Sequence, residues 1–140
     1  MINDNFKMTG ALSIAINNQI VAEVDNTVVN AGKAWVAQRM NNVNTQMTHM
    51  AIGTSTAAIN LSQTTLTTEI ARVALTSATV NANSIVYVGT FPAGTGTGAI
   101  TEAGTFDASS GGDMLCRTVF PVVNKGANDS MVITWTVTVN

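Results

Sequence analysis

Apolar and polar positions alternate most cleanly at the C-terminal end of the chain. In SMVITWTVTVN, Met131, Ile133, Trp135, Val137 and Val139 point one way, and Thr134, Thr136 and Thr138 point the other. That period of two is what a half-buried strand requires. Two similar runs precede it, GAITEAGTFD and DMLCRTVFPVV, separated by the breaker-rich links ASSGG and NKGAND. The region from Gly98 to Asn140 is therefore predicted as three consecutive antiparallel strands, with the upstream chain added to their sheet.

Upstream, Met8 to Ile16 alternates loosely, with Leu12, Ile14 and Ile16 on one side, and Ile20 to Val24 follows across Asn17-Asn18. Asn tolerates positive φ, so the pair predicts a hairpin turn. Between Asn30 and Asn42 the period lengthens. Asn30 is placed to cap a helix over AGKAWVAQRMNN, with Trp35, Val36 and Met40 near one face and Lys33 and Arg39 on the other. Thr48 to Gly53 reads as a short apolar strand. TSTAAINLSQTTL reads as a polar surface loop, with one helical turn at most around Leu66, Ile70 and Val73. Arg72 to Val80 and Ser84 to Phe91 alternate again about Asn81-Ala82-Asn83, a second hairpin, and Pro92 stops the latter strand.

These elements predict a mainly β chain: an antiparallel β-sandwich of about eight strands with one short α-helix. The 140 residues suit one domain, 1–140, able to bury about two-thirds of its unfolded surface. Residues 1–6 are expected to form an N-terminal arm, and 7–46 a hairpin-plus-helix segment. Trp35, Phe106, Phe120 and Trp135 are the expected core anchors.

Composition changes the picture of the surface. Hydrophobic residues make up 46% and charged residues 10%, against roughly 25% charged in an average soluble protein. Thr, Asn and Ser must carry the polar exterior, and a mean hydropathy of +0.26 leaves apolar area to be covered. Such a surface repels other copies weakly, which suits a subunit of an assembly and a homo-oligomer. Net charge is −2 with six scattered Lys and Arg, so no basic patch favours nucleic acid. The single Cys116 cannot make an intrachain disulfide, in keeping with assembly in a reducing cytoplasm. MINDNFKMTG lacks a basic flank followed by an apolar core, so a signal peptide is not expected. No run reaches the ~18 apolar residues of a membrane span.

Candidate chemistry is sparse. His49 lies in an apolar strand with no neighbouring carboxylate or cysteine in sequence, which favours a structural role over a metal site. Cys116 falls on the side of Met114, Thr118 and Phe120, as a buried thiol would. PAGTGTGAI is Gly-rich but opens a strand, and no Lys follows, so it does not fit a phosphate cradle. Asp107 and Asp113 flank Ser109-Ser110-Gly111-Gly112 as turn residues. Glu102 is in phase with Ile100, Gly104 and Phe106, so its carboxylate is expected among apolar neighbours and needs a partner. Arg72 and Arg117 both lie in strands, and either can form that structural ion pair. No catalytic residue, cofactor site or metal site is assigned.

The run from Ile100 to Asn140 resembles the C-terminal part of small virion structural proteins of tailed bacteriophages, of the tail-fibre-like, fibre-attachment or decoration type. The likeness is carried by Ile100-Thr101-Glu102-Ala103-Gly104, Phe106-Asp107, the Gly-rich turn, Arg117-Thr118-Val119-Phe120-Pro121, Lys125 and Ile133-Thr134-Trp135. MAIGTST (Met50 to Thr56) and EIARVALTS (Glu69 to Ser77) extend it over most of the chain after residue 47. Thr105 departs from the pattern, since fibre-attachment domains usually carry a bulky apolar residue before Phe-Asp. The resemblance implies a non-enzymatic self-assembling subunit at the neck, tail or fibre attachment. Its partners would be copies of itself and other virion proteins, and its place the virion, assembled in the host cytoplasm. A capsid decoration (cement) protein is the alternative within that class. A host-surface carbohydrate-binding module is the alternative outside it, disfavoured because aromatics are 5% of the chain and both Trp are expected inside.

Overall fold

The computed structural model describes residues 7–140, so the expected arm at 1–6 lies outside the described residues. In chain order come β1 (Met8–Ile16), β2 (Gln19–Asp25), β3 (Thr27–Val28), α1 (Asn30–Met40) and β4 (His49–Gly53). They are followed by β5 (Glu69–Asn81), β6 (Ser84–Phe91), β7 (Gly98–Phe106), β8 (Met114–Lys125) and β9 (Met131–Val139). The chain is mainly β with one helix among the described residues, as the patterning predicts.

The layering differs from expectation. In place of a sandwich of about eight strands there is one antiparallel sheet of nine, ordered β2-β1-β9-β6-β5-β4-β7-β8-β3 and curled nearly closed into a barrel. Two corners make the curl. β5 pairs with β4 through Glu69–Ala74 and with β6 through Leu75–Asn81, with an irregularity between Leu75 and Ser77. At the other corner the chain leaves its partner β1 at Asp25, passes Asn26 and pairs with β8 as β3. Strands that bend at a bulge and change partners turn a flat sheet back on itself. The ninth strand, β3, is only two residues long, too short for any alternation to show.

Turn chemistry follows the sequence. Asn17 and Asn18 both adopt positive φ, 50° and 68°, the geometry of a type I′ hairpin. Asn17 also joins this turn to the link between β8 and β9. Its Nδ2 donates to Asp129 Oδ1 (2.9 Å), its Oδ1 accepts from Ser130 N (3.0 Å), and Gly126 N donates to Asp129 Oδ2 (2.8 Å). The bonds from Asn17 and Gly126 hold the Asp129 carboxyl below its ordinary value of 3.8. A carboxylate depressed in the folded state stabilises it above the ordinary value, and that contribution disappears as pH falls through the folded value. Acidification below about pH 4 is therefore expected to release the Gly126 amide, whose acceptor is Asp129 Oδ2, to solvent exchange before the barrel unfolds. Asp129→Asn should abolish that pH step in an NMR exchange series.

The helix departs from expectation in two details. Val29, extended at φ −79° and ψ 166°, occupies the N-cap position without a side-chain bond, and Asn30 is already helical. Asn30 N donates instead to Leu61 O (2.8 Å), so the loop after β4 satisfies that helix end. Gly32 and Trp35, one turn apart, form the buried side. A Cβ on Gly32 would overlap the Leu115 backbone, so α1 rests directly on β8. Met40 is 85% exposed because five residues at 3.6 per turn place it about 140° round from Trp35.

Glu69–Asn81 is strand throughout, which corrects the suggestion of a helical turn near Leu66, Ile70 and Val73. Leu66 itself is buried within the loop. The barrel interior holds Leu12, Ile14, Met50, Ile52, Tyr87, Phe91, Ile133 and Val137. Trp35, Phe120 and Trp135 belong to this cluster, and Phe106 belongs to a smaller one with Val29, Ala51, Leu66 and Met114.

Candidate functional site

Glu102 and Arg117 meet in the interior, both side chains fully buried, with Arg117 Nη2 and Nε at 3.0 and 3.2 Å from Glu102 Oε1. Sheet order makes the choice between the two arginines. β8 lies directly beside β7, with Gly104 opposite Arg117, whereas Arg72 on β5 is separated from β7 by β4. The pair also holds the loop between β4 and β5. Thr67 N donates to Glu102 Oε1 (3.0 Å), and Ser55 N and Thr68 N donate to Oε2 (3.2 and 2.7 Å). Arg117 donates to Ala57 O, Gln63 Oε1 and Thr67 Oγ1. Five donors on one carboxylate leave it no free lone pair for a substrate. Its work is structural.

Arg72 serves a second loop. It binds Glu69 through two contacts (2.7 and 3.0 Å), donates to Ala108 O and Gly111 O (3.0 and 2.9 Å), and stacks 3.7 Å from the Phe106 ring centroid. The turn it braces is closed by Asp113 N on Asp107 Oδ1 (2.7 Å), as turn residues would do. His49 is half-buried, and its Nδ1 shares a 2.7 Å hydrogen bond with Thr48 Oγ1. Among the described residues no group of three or more His, Cys, Asp or Glu is placed to hold a metal ion. Lys125 is buried and donates to Pro92 O (3.0 Å); burial lowers its pKa and Asp129 offsets part of that.

The β2–β3 corner is a polar centre that the sequence did not signal. Asn26 N donates to Gly10 O (3.0 Å), and Asn26 Oδ1 accepts from Trp135 Nε1 (2.7 Å). Thr118 Oγ1 donates to the neighbouring Asp25 O (2.9 Å). Asn26 Nδ2 and Thr105 Oγ1 are buried without an ordinary hydrogen-bond partner, and both side chains approach the Cys116 thiol, a weak acceptor. Burial pushes Cys116 up to about 12, the two side chains lowering it only in part, and burial likewise pushes Tyr87 to about 12. Native protein is thus expected to resist alkylation at neutral pH, and denatured protein to take up one label per chain, as read by intact mass.

Two surface features remain. A cleft of about 870 Å³ lies between this corner, α1 and the β4–β5 loop, with Met8, Val28, Val36 and Leu61 on its walls and Lys7, Lys33 and Asp25 among its polar residues. Its lining among the described residues holds one carboxylate and two ammonium groups, and no histidine or cysteine. The second feature is the outer face of β1, β9 and β6. Its cross-strand rows are Thr9–Thr138–Ser84, Ala11–Thr136–Val86 and Ser13–Thr134–Val88. None of the nine side chains is charged, and Ser84 Oγ hydrogen-bonds Thr138 Oγ1 at 2.9 Å. No described helix is long and apolar enough to cross a membrane. Comparison of the chain with protein-family models, with curated proteins and with solved structures finds no match.

Proposed function

We propose that this chain is a non-enzymatic structural subunit of a tailed-bacteriophage particle, built into the neck, tail or fibre attachment alongside copies of itself and other virion proteins. The observation that carries the reading is the uncharged outer face of β1, β9 and β6. β-branched and rich in hydroxyls, these nine positions can lie against a neighbour without desolvating a charge of their own. The interior agrees, because Glu102, the one buried acid among the described residues, accepts from five donors. The resemblance of Ile100–Asn140 to small virion proteins supplies the biological setting.

A sugar-binding role is disfavoured by the aromatic rings. Trp35, Tyr87, Phe91, Phe106, Phe120 and Trp135 are all buried, so none of them offers a platform on which a sugar stacks. The deciding experiment is quantitative mass spectrometry on purified particles of the encoding phage and on heads lacking tails. A fixed copy number in whole particles and few or none in tailless heads supports the proposal. Many copies on tailless heads would establish the cement reading instead, and absence from both would overturn a virion role.

A further inference from the structure

We propose that the cleft between the β2–β3 corner, α1 and the β4–β5 loop binds a single-chain organic anion, an apolar body with one charged head, such as a medium-chain carboxylate. The inference goes beyond the building-block reading above and does not depend on it. The distribution of cations marks the site. Of the six Lys and Arg, four are engaged by neighbours. Arg39 donates to Asn44 O, Arg72 and Arg117 pair with Glu69 and Glu102, and Lys125 donates to Pro92 O. The other two, Lys7 and Lys33, make no side-chain hydrogen bond or ion pair among the described residues, and both line this one cleft.

The walls define the class of ligand. Lys7 stands at the head of β1 and Lys33 on α1, so an anionic head is met from two walls. Val36 follows Lys33 by three residues, on the same face of the helix, and joins Met8, Val28 and Leu61 in an apolar lining. Val28 is buried, whereas Leu61 remains 46% exposed, an apolar rim that an alkyl chain can cover. A volume of about 870 Å³ lies in the range of small-molecule sites, which combine apolar walls with a few placed polar groups. Other ligand classes fit less well. No aromatic ring lines the cleft among the described residues, so a quaternary amine, a sugar or a base finds no face to stack on. Asp25 sets one carboxylate beside the two ammonium groups, which suits a head of single charge and opposes a polyanion. The first turn of α1 holds no acidic residue, and neither does the loop 54–68, so the charge of Lys33 is not offset from its own side.

The test titrates the full chain with dodecanoate and with dodecyltrimethylammonium, which share an alkyl chain and differ in the sign of the head. Calorimetry is expected to give a Kd on the order of 10–100 μM for dodecanoate, and a Kd at least about tenfold higher for the cation. Amide shifts in a parallel NMR titration should centre on Asn26 to Val28, Lys33 to Val36, and Leu61. The double variant Lys7→Glu with Lys33→Glu, both at exposed positions, should raise the dodecanoate Kd at least about tenfold and reverse the preference between the two heads. Its thermal midpoint should stay close to that of the parent chain. Leu61→Gln should weaken both amphiphiles, since it removes apolar wall and keeps the Leu61 carbonyl that accepts from Asn30. Equal affinity for the two heads, an unchanged Kd in the double variant, or shifts spread over the whole barrel would overturn the site. So would a failure of dodecanoate to saturate the chain at about 1 mM. Selective dodecanoate binding by a chain absent from phage particles would uphold the site while removing the virion reading.

Discussion

Replacing Arg117 by Met is expected to destabilise the fold by about 3–5 kcal/mol, the cost of leaving one partner of a buried pair uncompensated. At this chain length that is a fall in melting temperature on the order of 10–15 °C. Glu102 would keep three backbone donors, from Ser55, Thr67 and Thr68, but lose its only cation. Glu102→Gln should also destabilise, because the amide –NH₂ must then face backbone N–H groups that need an acceptor. The informative variant is the double change, Glu102→Leu with Arg117→Met. An ordinary buried pair replaced on both sides by apolar residues can be neutral or even stabilising. Here the double variant should stay destabilised, since the Ser55, Thr67 and Thr68 amides and the Ala57 carbonyl lose their partners together. Urea unfolding measures the energies, and amide exchange at Thr67 and Thr68 reads the loop directly. Full recovery of stability in the double variant would show that the carboxylate does not hold this loop.

This pair also marks where the sequence stops being legible. The alternation of β7 placed Glu102 on the inward side, and that much is local. Which arginine reaches it depends on sheet order, which no local pattern encodes: β4, whose Ala51 pairs with Arg72, inserts between β5 and β7. The same limit explains the layering. Period-two alternation continues through the bend in β5, so one run of 13 residues reads as a plain strand although its two halves serve different neighbours. Signals confined to adjacent residues were readable, as at Asn17-Asn18 and in β9. The helix shows an intermediate case. Its existence followed from the lengthened period, but its buried face is decided by Gly32, whose lack of a side chain gives no hydrophobic signal.

Trp135→Ala is expected to cost about 3–5 kcal/mol, the range for emptying a buried aromatic site. Trp135 is fully buried on β9, opposite Leu12 on one side and Tyr87 on the other, both on sheet strands. Trp135→Phe separates packing from the polar contact. It keeps most of the ring but leaves Asn26 Oδ1 without the indole donor, at about 1–3 kcal/mol for the stranded acceptor. Asn26→Ala removes the same bond from the other side, together with the side chain that approaches Cys116. If the bond fixes the corner where β2 becomes β3, the two changes are coupled, and the double variant should be less destabilised than their sum by on the order of 1 kcal/mol. Gly10→Ala supplies an independent route to the same state. Its added methyl would overlap Asn26 Oδ1 and push the amide off the indole, so it should lose much of its effect in an Asn26→Ala background. Strict additivity of Trp135→Phe with Asn26→Ala would mean that Trp135 acts by volume alone. The corner would then rest on the Asn26 backbone bond to Gly10 and the Thr118 hydroxyl on Asp25.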